Sequence, residues 1–234
     1  MTALLEIEDI HTYYGLSHVL HGVHLTVAAG EVVALLGRNG AGKTTTLRSI
    51  VGLTPPARGR ITFKAERISG LPAHTVVRKG IAYVPETREV FSLLTVEENL
   101  TLAVKPDSPW SLARILEWFP DLRPLLGRKG SQISGGQQQM MVIGRGLVTG
   151  PELLLLDEPS QGLAPLMAAT VLGMLRDLKR QKLSVLIVEQ SVKIAMELAD
   201  RIYILANGRI VFEGTPADLR DRPDIVERHM GVSA

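Results

Sequence analysis

The sequence predicts an α/β fold built on a mainly parallel core sheet, and three observations carry that expectation. Short apolar runs with the length of buried strands alternate with segments of helical period along most of the 234 residues. Several of those runs end abruptly in residues suited to chemistry: Val32–Leu36 in Gly37, Ile81–Val84 in Pro85-Glu86, Leu153–Leu156 in Asp157-Glu158 and Ser184–Val188 in Glu189-Gln190-Ser191. The ends of central strands are where an α/β sheet presents groups to a ligand. The third observation is the stretch GRNGAGKT at residues 37–44, which lies between the first of these runs and a helix expected from Thr44 to Val51.

Before Gly37 the chain reads as strands over Leu4–Ile10, Val19–Val27 and Glu31–Leu36, with Tyr13-Tyr14-Gly15 interrupting the first pair. His11, His18, His21 and His24 have spacings that scatter them over both faces of a regular strand, so no metal cluster is expected there. After the glycine-rich stretch, Leu53–Gly59 is a turn and Gly59–Ile68 a hairpin around Lys64-Ala65-Glu66. From Thr95 the pattern turns helical. Thr95-Val96-Glu97-Glu98 is a capping box that opens a helix through about Ala103, ended by Pro106 and Pro109. A second helix over Ser111–Phe119 puts Leu112, Ile115, Leu116 and Phe119 on one face; with Trp110 and Trp118 nearby, the stripe reads as local core or as an exposed docking surface.

Ser134 and Gln137 also have capping-box spacing and open a helix through Val148. A cap does not account for Gly135 and Gly136, each of which costs a first turn up to about 1 kcal/mol relative to alanine. Bare N–H groups at a helix start make an anion site. Pro165 then begins a helix with Val171, Leu175 and Leu178 on one side, and another helix spans about Val192–Ala199. Asn207-Gly208 joins Ile202–Ala206 to Arg209–Glu213 as a hairpin, and the tail from Pro216 reads as a peripheral helix.

Composition narrows the function classes. With 45% hydrophobic and 21% charged residues the chain can bury one large core or two modest subdomains. A net charge of +2 gives no basic surface that would argue for nucleic acid. Zero cysteines exclude disulfides, thiolate catalysis and cysteine zinc sites. No secretion signal is visible at the N-terminus, and the longest apolar runs fall far short of the roughly 18–20 residues of a membrane span. Any membrane association is therefore expected through a partner.

GRNGAGKT fits the phosphate-loop pattern G-x-x-x-x-G-K-[ST] in the strand-to-helix setting that pattern needs. Gly37, Gly40 and Gly42 leave room for a tight loop, so the backbone N–H groups of Asn39, Ala41 and their neighbours can converge on phosphate oxygens at a helix start. Lys43 reaches the β- and γ-phosphates, Thr44 offers its hydroxyl to Mg²⁺, and Thr45 adds a donor to the α-phosphate. Asp157 suits the Mg²⁺ shell, Glu158 is placed to hold or deprotonate an attacking water, and Glu86 is a further candidate for the metal or water shell. Tyr14 can stack its ring on a purine and is preferred to Tyr13 because it precedes the glycine turn.

Together these residues resemble the ATP-binding subunit of an ABC transporter over nearly the whole chain. The phosphate loop, Ile133-Ser134-Gly135-Gly136-Gln137, Leu153–Glu158 and Ser160-Gln161-Gly162-Leu163 stand in family order. The resemblance implies a phosphate-loop ABC ATPase fold with an antiparallel β subdomain and an α-helical subdomain added to the core sheet. It implies a single 1–234 domain, with an ATP-binding core at 1–86 and 149–215, a helical subdomain at 87–148 and a peripheral C-terminal helix at 216–234. It also implies ATP with Mg²⁺ and a head-to-tail homo- or heterodimer, in which Ser134, Gly135, Gly136 and Gln137 cap the γ-phosphate held on the partner ATPase. By position, Tyr14 corresponds to the adenine-stacking residue, Lys43 and Glu158 to catalytic residues, and Thr44 and Asp157 to magnesium ligands.

Three positions depart from the commonest family pattern. Glu86 stands where a glutamine is usual, Gln190 where a histidine contacts the γ-phosphate, and Ala164 where an aspartate follows Gly-Leu. Gln190 takes a neutral hydrogen-bonding role among the catalytic residues, because a glutamine cannot titrate as a histidine does. Val-Pro-Glu, Thr-Val-Glu-Glu-Asn-Leu, Pro-Ser-x-Gly-Leu-Ala-Pro and Val-Glu-Gln are similar to the ATPase subunits of bacterial branched-chain amino-acid importers. That likeness implies transmembrane permease partners, an indirect link to a periplasmic binding protein, and a peripheral place on the cytoplasmic face of the inner membrane. The alternatives are an importer of urea or another small polar cargo, a soluble ABC ATPase acting on nucleic acid or ribosomes, and a small-molecule kinase.

Overall fold

A computed structural model describes residues 3–106 and 108–231, so the outer bounds 1 and 234 of the expected domain lie outside the described residues. The chain opens with β1 (Ala3–Tyr14) and β2 (Ser17–Ala28), then β3 (Val32–Leu36), α1 (Lys43–Ile50), β4 (Arg58–Phe63), β5 (Glu66–Arg67), α2 (Ala73–Arg78) and β6 (Ile81–Val84). Helices α3 (Val96–Thr101), α4 (Leu112–Trp118) and α5 (Gly135–Leu147) follow, with short 3-10 turns between the last two. Then come β7 (Leu153–Asp157), α6 (Pro165–Arg180), β8 (Ser184–Glu189), α7 (Val192–Leu198), β9 (Arg201–Ala206), β10 (Arg209–Gly214), α8 (Pro216–Arg220) and α9 (Pro223–Met230).

Two sheets result. A four-stranded antiparallel sheet has the order β2-β1-β4-β5, and a six-stranded sheet has the order β10-β9-β3-β8-β7-β6. In the larger sheet β9, β3, β8, β7 and β6 run parallel, and β10 closes the edge antiparallel through the Asn207-Gly208 turn, whose two residues both have positive φ. The central strands are uniformly apolar because both faces are covered. Val32, Ala34 and Leu36 of β3 face one core, shared with α5, α6 and α7; Val33 and Leu35 face the other, shared with α1 and the smaller sheet. β7 and β8 divide in the same way, residue by residue.

Several details differ from the sequence reading. The first two strands are longer than expected, pairing up to Tyr14↔Ser17, because register shifts along β1 break the alternation that would have announced the longer strand. Those shifts also bring three histidines together, where regular spacing scatters them. His11 pairs with His21 and Tyr13 with His18; His11 Nδ1 lies 3.2 Å from His18 Nε2, and the His18 ring stacks on Tyr13 at 4.1 Å. Among the described residues no three His, Cys, Asp or Glu side chains are arranged to hold a metal ion by themselves. Trp110 and Phe119 are buried and Trp118 donates to Asp177 Oδ2 at 2.9 Å, so the aromatic stripe is local core rather than a docking surface. The tail is two helices, not one, and it is packed rather than peripheral: Leu219, Ile225, Val226 and Met230 join the main core.

Candidate functional site

Parallel register places the candidate groups side by side. Leu36 pairs with Glu189, Asp157 with Val188, and Val84 with Leu156. The four adjacent strands β3, β8, β7 and β6 therefore end at one level, delivering Gly37, Gln190, Asp157-Glu158 and Glu86 to a single edge. Sequence positions more than a hundred residues apart meet there because the connections are crossovers.

The loop from Gly37 to Gly42 leads into α1 with no side-chain cap; Gly42, at φ 108°, is the N-cap. A side chain there would be strained and would also run into Leu20. The first-turn N–H groups of α1 consequently have neither intrahelical nor side-chain partners, which is the condition for an anion site. Asn39 and Gly40 are exposed, whereas Ala41, Lys43 and Thr45 are buried. Lys43 Nζ donates to Gly37 O at 2.9 Å and Arg38 O at 3.3 Å and pairs with Glu158 Oε1 at 3.0 Å.

Thr44 Oγ1 donates to Asp157 Oδ1 at 3.1 Å, and the Tyr83 hydroxyl donates to Asp157 Oδ2 at 3.2 Å. Burial pushes the Asp157 carboxyl up to about 6 despite those two donors, with Glu86 and Glu158 adding repulsion in the same direction. Burial and the neighbouring carboxylate also push the Tyr83 hydroxyl far above its usual range. A crowded, partly desolvated set of carboxylates beside a hydroxyl is a donor set that a hard, oxygen-preferring divalent cation relieves. Mg²⁺ normally takes only one or two protein ligands and completes its shell with phosphate oxygens and water, so Thr44 and Asp157 fit it.

Glu158 has φ 47°, a left-handed conformation uncommon outside glycine, and its N–H is tied to Val188 O at 3.0 Å. Gln190 Nε2 donates to Glu158 Oε2 at 2.7 Å. Glu189, buried beside it, accepts from Ser160 Oγ at 2.7 Å; burial raises its carboxyl above the usual range, partly offset by that hydroxyl.

Tyr14 stands 46% exposed at the hairpin tip, its hydroxyl 3.5 Å from Thr54 Oγ1. Tyr13 has one ring face covered by His18, while Tyr14 has no ring-stacking partner among the described residues. The hairpin is fixed to α1, the helix that follows the phosphate loop, by a bond with no signal in the sequence: Thr12 Oγ1 lies 2.9 Å from Ser49 Oγ, which in turn donates to Thr45 O.

The other glycine-rich helix start is built differently. Ser134 Oγ accepts from Gln137 N, and Gln137 Oε1 accepts from Ser134 N, completing a capping box. That box leaves the N–H groups of Gly135 and Gly136, at the first two helical positions, without partners in the helix. Arg88, two residues beyond Glu86, donates to Gln139 Oε1 at 3.3 Å and links the two regions.

A family model described as ABC transporter matches residues 20–161. This chain belongs to the ABC transporter family. A high-affinity branched-chain amino acid transport ATP-binding protein, BraG of Pseudomonas aeruginosa, is 44% identical over 97% of this chain and 100% of its own length. A probable branched-chain amino acid transport ATP-binding protein, LivF of Archaeoglobus fulgidus, is 36% identical over 98% of this chain and 99% of its own. The crystal structure of a nucleotide-free ATP-binding cassette from an ABC transporter superposes with a TM-score of 0.84 at 28% identity, covering 100% of both chains. As an ABC cassette with this fold, the chain is an ATPase.

Proposed function

We propose that this ABC ATPase energises import of branched-chain (hydrophobic) amino acids through a membrane transporter. One observation carries the hydrolytic reading: Lys43 and Thr44 of the phosphate loop lie 3.0 and 3.1 Å from the carboxylates of Glu158 and Asp157. The cargo rests on the two branched-chain amino-acid relatives and on the likeness of motifs along the chain.

In this reading the backbone N–H groups of residues 39–45 hold the phosphates and Lys43 binds the β- and γ-oxygens. Thr44 and Asp157 hold Mg²⁺, which when bound neutralises charge on the phosphoryl oxygens, and Glu86 stands outside that ligand set. Glu158 orients or deprotonates the attacking water, and Gln190 keeps that carboxylate in place by a neutral hydrogen bond. Tyr14 offers its free face to adenine. Gly135 and Gly136, flanked by Ser134 and Gln137, present their amides to the γ-phosphate held by a second ATPase subunit, identical or different, arranged head to tail.

The core at 1–86 and 149–215, the helical part at 87–148 and the C-terminal segment at 216–234 divide these tasks. An apolar groove of about 380 Å³ between the first two, lined by Leu53, Val77, Phe91, Leu102 and Arg145, suits a helix of a permease subunit. No helix among the described residues is long and apolar enough to cross a membrane, which fits attachment through permeases at the cytoplasmic face, with a periplasmic binding protein acting through them.

The test is Glu158→Gln. It should retain ATP binding, lose turnover by at least about a hundredfold as expected for removal of a general base, and accumulate an ATP-dependent dimer by light scattering. Normal turnover in that variant would remove Glu158 from this role. Affinity isolation from gently solubilised host membranes should recover two permeases, a second ATPase and an amino-acid-binding protein; recovery of ribosomes would overturn the transport reading.

A further inference from the structure

The Glu158 carboxylate has one more neighbour, which the mechanism above does not use. Gln161 follows Glu158 by three residues, after Pro159 and Ser160, where the backbone turns back so that Gln161 N bonds to Glu158 O at 3.1 Å. Its side-chain amide is flanked by carboxylate oxygens, so its nitrogen is the end that faces them: it donates to Glu86 Oε1 at 3.1 Å and also to Glu158 Oε2. A primary amide nitrogen carries two hydrogens. One can go to each acid, which satisfies both with no charge added.

The surroundings explain why such a bridge matters. Four carboxylates, those of Glu86, Asp157, Glu158 and Glu189, crowd the strand ends; among the described residues Lys43 is the cation in contact with Glu158, and the other donors to that carboxylate are the amides of Gln190 and Gln161. Lys43 must also serve phosphate oxygens, so a neutral donor that stays with Glu158 fixes its Oε2 edge independently of the nucleotide. Glu86 and Gln161 are both exposed in the single chain, and the proposed head-to-tail arrangement puts a partner over them. Drying that face strengthens both hydrogen bonds.

We propose that Gln161 is a positioning residue for ATP hydrolysis, bridging Glu86 and Glu158 through the two hydrogens of one amide and holding the Glu158 carboxylate where it meets the attacking water. This rests on the reading of Glu158 as the base. It assigns Glu86 an indirect part: the acid anchors the amide that orients the base. Leucine at 161 keeps the bulk but leaves two carboxylates facing each other; a glutamine at 86 can then supply the missing donor to Glu158.

The experiment uses the complete transporter isolated through the tagged chain, carrying wild type, Gln161→Leu, Glu86→Gln with Gln161→Leu, or Glu158→Gln. ATPase kinetics are read alongside the Kd of a fluorescent ATP analogue. Gln161→Leu should lower kcat about tenfold, the size of one charge-assisted hydrogen bond, with KM and the analogue Kd within about twofold. The double variant should recover kcat to within about threefold of wild type, a rescue that loss of folding or of loop packing does not give. Wild-type kcat in Gln161→Leu, a parallel change in KM, or a loss that Glu86→Gln leaves unrepaired would each overturn the proposal. Turnover in Glu158→Gln would overturn it too, and would show that the base assignment itself had failed.

Discussion

The two glycine-rich helix starts of this chain are alike in sequence and unlike in structure. α1 begins at a left-handed Gly42 with no side-chain cap, over a buried lysine already in contact with the catalytic carboxylate candidate. α5 begins at Ser134 with a complete capping box, and only its first two amides are left over. The first is organised by tertiary contacts and has everything needed to grip an anion within its own chain. The second is satisfied locally, has the Arg88 guanidinium beside Gly135, and offers two amides that the proposed reading turns toward a site built on another subunit. In the proposed reading one helix start is a binding site and the other is a lid contributed to a second subunit's.

That contrast can be broken first at Lys43. Lys43→Ala removes the cation from the self-sufficient site and should abolish measurable binding of a fluorescent ATP analogue by the isolated chain, with turnover lost by at least about a hundredfold. Gly136→Asp sharpens the other side, because a carboxylate at the second position of α5 repels phosphate only if a partner brings it there. It should lower turnover of the assembled transporter about a hundredfold while the isolated chain's Kd changes less than about twofold. Equal damage to single-chain binding by both variants would mean that the two helix starts serve one nucleotide in one chain.

A smaller effect probes the packing behind the site. Leu156, fully buried at the end of β7 just before the carboxylates, should cost about 2–5 kcal/mol on change to alanine, read by denaturant unfolding. The smallest concerns local capping in the helical region. Thr95 and Glu98 form the same box on α3, and the Thr95 amide beside Glu98 holds that carboxyl below its usual value. A lowered folded value means that this stabilisation is complete above pH about 4.5 and is lost as pH falls through the lower folded value. Thr95→Ala should cost about 1 kcal/mol at neutral pH, and Glu98→Gln should remove that part of the acid dependence of Tm.

Much of the first site was legible because its pieces are contiguous. GRNGAGKT announces its loop by residue type alone, and Leu153–Glu158 announces a buried strand with acids at its end. What could not be read was adjacency across the sheet. Nothing local says that β8 lies between β3 and β7, which is what brings Gln190 to Glu158, or that Tyr83 turns its hydroxyl onto Asp157. Gln161 was legible as a motif position and silent as a contact. The histidines near the first hairpin show the opposite case: a regular strand period scatters them, and the register shifts of β1 bring them together. The aromatic stripe around Trp110 and Phe119 was ambiguous because a helix face shows what is apolar but not what covers it.

The lysine at the start of α1 has one further consequence. An ammonium group has three hydrogens, and those of Lys43 are all engaged, with Gly37 O, Arg38 O and Glu158 Oε1. With Lys43 as the proposed phosphate ligand, nucleotide capture is an exchange of partners rather than an addition, and the affinity measured is a difference between the bonds gained and those surrendered. In the proposed reading the carboxylate that serves hydrolysis competes with the fuel for the same cation. A chain whose carboxylate has become an amide should hold ATP more tightly than the native one, even as it ceases to consume it.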